Sequence, residues 1–134
     1  MNNNTYTVGS MFAGIGGICL GFKQAGFEIV WANEKDAAAC RTYRHNFGDK
    51  YLLEANIKKV NKQTIPVFDI LTAGFPCQPF SVAGPHKGFE DARGNLFFQI
   101  IEVAKIAQPK IIFLENVANL IDHDNGKTFI TIFN

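Results

Sequence analysis

The chain has 134 residues, 47% of them hydrophobic and 19% charged, which is about one globular domain with enough apolar material for a core. A formal charge of +1 excludes the broad basic face of a typical nucleic-acid binder, so any contact with a polyanion is local or comes from another part of the molecule. Cys19, Cys40 and Cys77 are odd in number and show neither CxxC spacing nor a nearby His. This argues against a disulfide framework or a metal site and for a reducing compartment. The polar start, Met1 to Thr5, lacks a signal-peptide pattern, and no apolar run approaches the roughly 18 residues of a membrane span. The expectation is a soluble, cytoplasmic protein with no membrane partner.

Tyr6 to Phe12 reads as a first strand, running into the turn Ala13-Gly14-Ile15-Gly16-Gly17 and then a helix with Ile18, Phe22 and Ala25 on one face. A glycine turn before a helix N-terminus suits a ligand that must approach the backbone, and equally a tight connection. It is not the dinucleotide fingerprint, because Cys19 stands where the third glycine belongs. Gly26 ends the helix, and Phe27 to Ala32 reads as a second strand closed by Asn33-Glu34. Glu34 follows Gly17 by 17 residues (34 − 17), the place in a doubly wound sheet where a carboxylate holds ribose hydroxyls. A solvated loop carboxylate is the competing reading.

Asp36 to Asn46 reads as a second helix with Cys40, Tyr43 and Phe47 turned inward, Cys19 and Cys40 being core residues. Tyr51 to Glu54 suggests a short third strand, followed by Asn56-Ile57 and a polar segment, Lys58 to Thr64, whose lysines fit a solvated face. Val67 to Ala73 is apolar enough for a strand inside a parallel sheet, and it leads into Gly74-Phe75-Pro76-Cys77-Gln78-Pro79-Phe80-Ser81. Two prolines there flank one thiol on a stiff loop, which is the layout of a nucleophile; a structural cysteine in a Pro-rich turn is the alternative. Val82 to Gly94, with Lys87 and Arg93, fits either an active-site loop with cations for phosphates or a plain surface loop.

Asn95 to Ala107 is an amphipathic helix pattern with Leu96, Ile100, Val103, Ala104 and Ala107 on one face, stopped by Pro109. Lys110 to Leu114 reads as a fifth strand ending in Glu115-Asn116-Val117. A carboxylate emerging from that apolar run is expected to have its pKa raised by desolvation and to be able to donate a proton. Cys77 and Glu115 end neighbouring strands and are expected to converge. His45, His86 and His123 have no partner spacing and receive no chemistry.

Taken together, these residues resemble the C5-cytosine DNA methyltransferases of the bacterial restriction-modification (HhaI) type over nearly the whole chain. Phe12 to Gly17 is similar to the family's first motif, Asn33-Glu34 to its second, and Gly74 to Ser81 to its nucleophile motif. Arg93 to Phe98 and Glu115-Asn116-Val117 are similar to its helix and acid motifs. The resemblance implies a Rossmann-like α/β doubly wound sheet and S-adenosyl-L-methionine as cofactor. Phe12 would pack on the adenine, the Gly14 to Gly17 turn would lie under the methionine part, Glu34 would hold the ribose and Leu96 would line the pocket. Ile15, Lys35, Asn56, Ile57 and Pro76 complete the implied cofactor set, and Gln78, Ser81, Lys87 and Arg93 the implied DNA contacts. Cys77 would attack C6 of a flipped-out cytosine while Glu115 protonates N3.

Three departures from the family pattern stand out. Asn56 replaces the usual Asp that reads the adenine amino group, and Lys35 stands where an apolar or aromatic residue is common. The chain also stops at Asn134, in what reads as a helix starting near Lys127, before the family's arginine motif, remaining strands, recognition region and last motif. Residues 1–134 are therefore expected to be the N-terminal part of a catalytic domain, truncated or split, that acts on double-stranded DNA together with a complementary C-terminal chain. Its fifth strand would be an unprotected edge prone to self-association. A cofactor-binding or interaction module without catalysis and an RNA cytosine-5 methyltransferase are the alternatives.

Overall fold

The computed structural model describes residues 5–75 and 96–133. In chain order these form β1 (Thr7–Met11), α1 (Gly17–Gln24), β2 (Glu28–Glu34), α2 (Ala37–Phe47), β3 (Leu52–Glu54), β4 (Ile70–Gly74), α3 (Leu96–Ala107), β5 (Ile111–Glu115) and α4 (Lys127–Phe133). Short 3₁₀ turns lie at Ile57–Lys59, Lys62–Thr64 and Ala118–Leu120. The strands make one parallel sheet in the order β3-β2-β1-β4-β5. From β1 the chain steps outward to β3, then returns across the sheet to β4. That reversal puts a topological switch point between β1 and β4, whose C-terminal edge is where open α/β sheets take ligands.

The two faces of the sheet carry separate cores, as the period-2 pattern of a strand requires. Met11, Trp31, Leu71 and Ala73 face Leu96, Phe97, Ile100, Val103 and Ala107 of α3. On the opposite side, Ala32 meets Cys19 of α1 and Tyr43 of α2. Leu71 is fully buried, so Leu71→Ala would cost about 2–5 kcal/mol through lost contacts and a cavity. The buried polar pair between β1 and β4 is satisfied, with the Thr72 hydroxyl donating to Ser10 Oγ at 3.0 Å. Gly9 has a packing reason, since a Cβ there would fall 2.2 Å from the Phe68 ring, itself stacked on Trp31 with centroids 6.0 Å apart.

Several expected boundaries shift for identifiable reasons. β4 begins at Ile70 rather than Val67: Val67 is exposed, Phe68 turns into the core, and the Asp69 carboxylate accepts the Thr7 N–H and hydroxyl, each at 2.9 Å. β1 stops at Met11 because Phe12 takes a left-handed conformation (φ 54°). Ala25 is the exposed cap of α1, and Cys19 takes the buried position instead. α2 starts as Asp36 allows, its side chain accepting the Ala39 N–H at 2.8 Å, a typical N-cap bond. The polar segment is two 3₁₀ turns capped by Asn56 and Asn61. Within it Lys62 departs from the solvated face, donating to Gln99 at 2.8 Å and pairing with Glu102 at 3.4 Å on α3.

Candidate active site

Strand register gathers the site. Met11 pairs with Asn33 on one side and Ala73 on the other, while Gly74 pairs with Glu115, so β1, β2, β4 and β5 deliver Phe12, Glu34, Gly74 and Glu115 to one edge of the sheet. Phe12, Gly14 and Gly16 all have positive φ (54°, 55° and 95°). A strained non-glycine residue at such an edge is a feature of functional turns. The glycines differ in purpose. A Cβ on Gly14 or Gly17 would meet nothing within 4 Å, whereas one on Gly16 would fall 2.3 Å from Phe47 Cε2. Gly14 and Gly17 thus keep open space at the turn, and Gly16 serves the packing of α1 on α2. Ile15, between them, is 60% exposed.

Glu34 is the polar centre of this edge. Its Oε2 accepts the Gly14 N–H at 2.9 Å, across 20 residues of sequence, and its Oε1 accepts the Lys35 and Asp36 N–H groups at 2.7 and 2.9 Å. The carboxylate therefore ties the glycine turn to the start of α2, and Oε2 keeps one lone pair for a ligand hydroxyl. Lys35 is exposed. Asn56 is also exposed, and its Oδ1 accepts the Lys58 N–H at 3.1 Å. Ile57 and Leu96 belong to the core on the α3 side, from which they can floor a pocket.

At the other end of the edge, a Cβ on Gly74 would lie 3.3 Å from Glu115 Oε2, which places the carboxylate directly over the end of β4. Glu115 is exposed, however, because β5 is an edge strand with all five residues exposed. The desolvation expected for it is thus not provided among the described residues. Asn116 donates from Nδ2 to the Phe75 carbonyl at 2.9 Å and accepts the Val117 N–H on Oδ1 at 2.9 Å. This bond is visible only once β4 and β5 are paired; in the sequence it left no trace beyond the Asn itself.

Pro76, Cys77, Gln78, Ser81, Lys87 and Arg93 lie outside the described residues. Cys19 and Cys40 are buried, as core cysteines should be. Burial, with Glu54 and Glu34 nearby, pushes the Cys40 thiol up, and a thiol so held is inert. His123 Nδ1 lies 2.7 Å from Thr128 Oγ1, a buried contact that fixes the turn into α4. Among the described residues there is no cluster of three or more His, Cys, Asp or Glu that could hold a metal, and no helix long and apolar enough to cross a membrane.

A parallel sheet reversing between β1 and β4, with a glycine turn and a carboxylate at that point, defines a doubly wound, Rossmann-like α/β domain. Residues 6–134 match the model of the C-5 cytosine-specific DNA methylase family, and the chain belongs to that family. It is similar to the Type II methyltransferase M.Bsp6I of Bacillus sp. (strain RFL6), 51% identical over 128 residues that cover 94% of this chain and 40% of the relative. With the Type II methyltransferase M.HhaI of Haemophilus parahaemolyticus it shares 49% identity over 124 residues, 92% of this chain and 37% of the relative. Among solved structures, a putative DNA modification methyltransferase encoded within an E. coli prophage superposes with a TM-score of 0.77 at 27% identity, covering 97% of this chain and 37% of that one. The Spodoptera frugiperda DNMT2 mutant gives a TM-score of 0.69 at 28% identity, over 96% of this chain and 40% of that one. The chain thus spans 40% and 37% of the length of these two Type II methyltransferases.

Proposed function

We propose that this chain carries the cofactor-binding and nucleophile-bearing part of a DNA (cytosine-5-)-methyltransferase of the restriction-modification kind, working in the cytoplasm on double-stranded DNA. The Gly74 to Glu115 register carries this reading: it sets the acid strand end beside the strand that leads into Pro76-Cys77-Gln78, on the edge where Glu34 holds the glycine turn. S-adenosyl-L-methionine is the methyl donor that these residues fit. Gly14 and Gly17 leave room for a ligand against the backbone, and Glu34 Oε2 retains an acceptor for a ribose hydroxyl. Phe12, partly buried against the core cluster that holds Ile57 and Leu96, offers a ring for adenine; Ile15, Lys35, Asn56 and Pro76 complete the set that this reading assigns to the cofactor.

When bound, the cofactor supplies an electrophilic methyl group. Cytosine C5 is too poor a nucleophile to take it unaided, so the chain's part is to activate the base. With the base flipped from the duplex, the Cys77 thiolate forms a bond to C6 and the ring electrons move toward N3, where Glu115 delivers a proton. C5 would thereby become carbanion-like, able to take a methyl group as the donor's S–CH3 bond breaks and its sulfur leaves as a neutral thioether. Return of the N3 proton to Glu115, loss of the C5 proton to water and expulsion of the thiolate restore the neutral ring. Gln78, Ser81, Lys87 and Arg93 would contact the DNA.

Transfer in this reading needs further polypeptide packed against β5, in the same chain or a complementary one. Ile111, Ile112, Phe113 and Leu114 are 57%, 46%, 46% and 36% exposed. Beside them, Ile18, Gly21, Phe22, Ala25, Phe27 and Phe113 line an almost wholly apolar groove of about 350 Å³.

The test combines this chain with the C-terminal remainder of a relative, adds cofactor, and presents duplex DNA containing 5-fluorocytosine. A covalent complex through Cys77, lost in Cys77→Ser while calorimetric cofactor affinity is retained, is the expected result. A folded, cofactor-binding mixture that forms no adduct overturns the catalytic assignment in favour of a binding module.

A further inference from the structure

We propose that Asn33 is a positioning residue, whose buried carboxamide holds the adenine side of the nucleoside pocket against Glu34. The inference rests on the cofactor reading above and adds to it a residue that does not touch the ligand. Asn33 is 1% exposed, at the carboxyl end of β2, between Met11 of β1 and Leu53 of β3. Its Nδ2 donates to the carbonyls of Leu53 at 3.0 Å and Ala55 at 2.9 Å, and its own carbonyl accepts the Ala13 N–H at 3.0 Å. One residue thus joins the glycine turn on one flank of Glu34 to the chain entering Asn56-Ile57 on the other.

The sheet itself shows why a side chain is needed there. Bonds in a parallel pair are evenly spaced, and each strand donates at alternate residues. Ala32 gives its N–H to the Tyr51 carbonyl at 2.8 Å, and Ala55 gives its N–H to the Glu34 carbonyl at 2.9 Å. Continued at that period, the ladder would offer the Asp36 N–H to the Ala55 carbonyl. Asp36 gives it to Glu34 Oε1 instead, at 2.9 Å. Holding the carboxylate in place therefore deprives the ladder of its next rung, and the Asn33 carboxamide replaces that rung. Only the NH₂ end of a carboxamide can serve two carbonyl oxygens, which fixes its orientation.

From the Ala55 peptide the chain passes to Asn56, whose Oδ1 accepts the Lys58 N–H at 3.1 Å and whose carbonyl accepts the Lys59 N–H at 2.8 Å. Oδ1 keeps a lone pair for the adenine amino group. Without Asn33 Nδ2 the Ala55 carbonyl loses its donor, the turn is free to shift, and the acceptor at Asn56 shifts with it. A site built to hydrogen-bond one group rejects the analogue that lacks it, so the consequence is read as discrimination between bases.

Two measurements on the full chain, combined with the C-terminal remainder of a relative as above, test this with Asn33→Ala and Asn33→Ser, neither of which can reach both carbonyls. Calorimetry compares S-adenosylhomocysteine with its inosine counterpart, which carries a carbonyl in place of the amino group. Hydrogen exchange without ligand follows the amides of residues 55–59 against those of residues 70–74. The expected result in both variants is a preference for adenine over hypoxanthine lowered about threefold or more, with exchange across 55–59 about tenfold faster or more and exchange across 70–74 unchanged. An unchanged preference beside a wild type that discriminates, or unchanged exchange across 55–59 in either variant, overturns the proposal. Exchange raised equally in both segments overturns it as well, because Asn33 would then support the fold as a whole. A wild type that binds neither compound, or both alike, sinks the cofactor reading instead, and the ligand-free exchange still decides the role of Asn33.

Discussion

Glu34 has two duties that substitution can separate. With three backbone N–H groups on its carboxylate, it closes the glycine turn before any ligand arrives. Hydrogen bonds to a charged group contribute about 1.5–3 kcal/mol net of water, and less where, as at the Lys35 and Asp36 N–H groups, they are local and exposed. Glu34→Ala is therefore expected to lower the stability of the cofactor-free chain by about 1–3 kcal/mol in urea denaturation. An unchanged midpoint would mean that the carboxylate matters for ligand alone. Gly16 makes a matching case in packing. At φ 95° and with Phe47 Cε2 2.3 Å from the site of a Cβ, Gly16→Ala combines backbone strain with overpacking and should cost about 1–3 kcal/mol. Removing the ring with Phe47→Ala in the same chain should recover the overpacking part, and purely additive losses in the double variant would argue against the clash.

At the N-terminal ends of the strands, the Asp69 carboxylate joins three elements. It accepts from Thr7 at the start of β1 and from Lys110 Nζ at 2.7 Å, just before β5, while itself preceding β4. The hydrogen bond from Lys110, followed by those from Thr7, lowers the Asp69 pKa from 3.8 to about 2. A depressed carboxylate stabilises the fold above its unfolded pKa and loses that contribution as pH falls through the folded one, so the window lies between about pH 4 and pH 2. Asp69→Asn should flatten the acid dependence of stability across that window in pH-resolved thermal melts; an unaltered slope would remove Asp69 as its source. The same residue marks how far sequence reading reaches. Leu71 to Ala73 announced a buried strand because a run apolar on both faces suits a strand with neighbours on both sides. Phe68 and Asp69 belonged to the same run by composition, yet their roles are set by Gly9, Trp31, Thr7 and Lys110, all distant in sequence. The turn at Gly14 and the carboxylate at Glu34 were legible because a recurrent strand-turn-helix spacing brings them together. The surroundings of Glu115 were not, because the apolar run of β5 suggested burial, whereas all five of its residues are exposed among the described residues.

For the molecule as a whole, the exposure of β5 bears on solution behaviour. Among the described residues β5 pairs with β4 on one side only, and its outer N–H and C=O groups, with Ile111, Ile112, Phe113 and Leu114 exposed around them, offer a template for another strand. β4, one position inward, has only Gly74 less than fully buried, and β3 at the opposite edge is three residues long. The hydrophobic liability is therefore concentrated on one edge. α4 adds to it, with Phe129, Ile130 and Phe133 36%, 56% and 80% exposed. Burying apolar surface gains roughly 25 cal/mol per Å², so joining a few such side chains supports association of the chain with itself whenever no complementary segment covers the edge. Lysine on an edge strand opposes this by charge repulsion and by the cost of desolvating an ammonium group. Sedimentation velocity should accordingly show a weight-average coefficient that rises with protein concentration for the wild-type chain and stays flat for Ile112→Lys. Coincident profiles for the two would move the associating surface away from β5. In that event the corresponding substitution at Ile130 would test α4 in the same way.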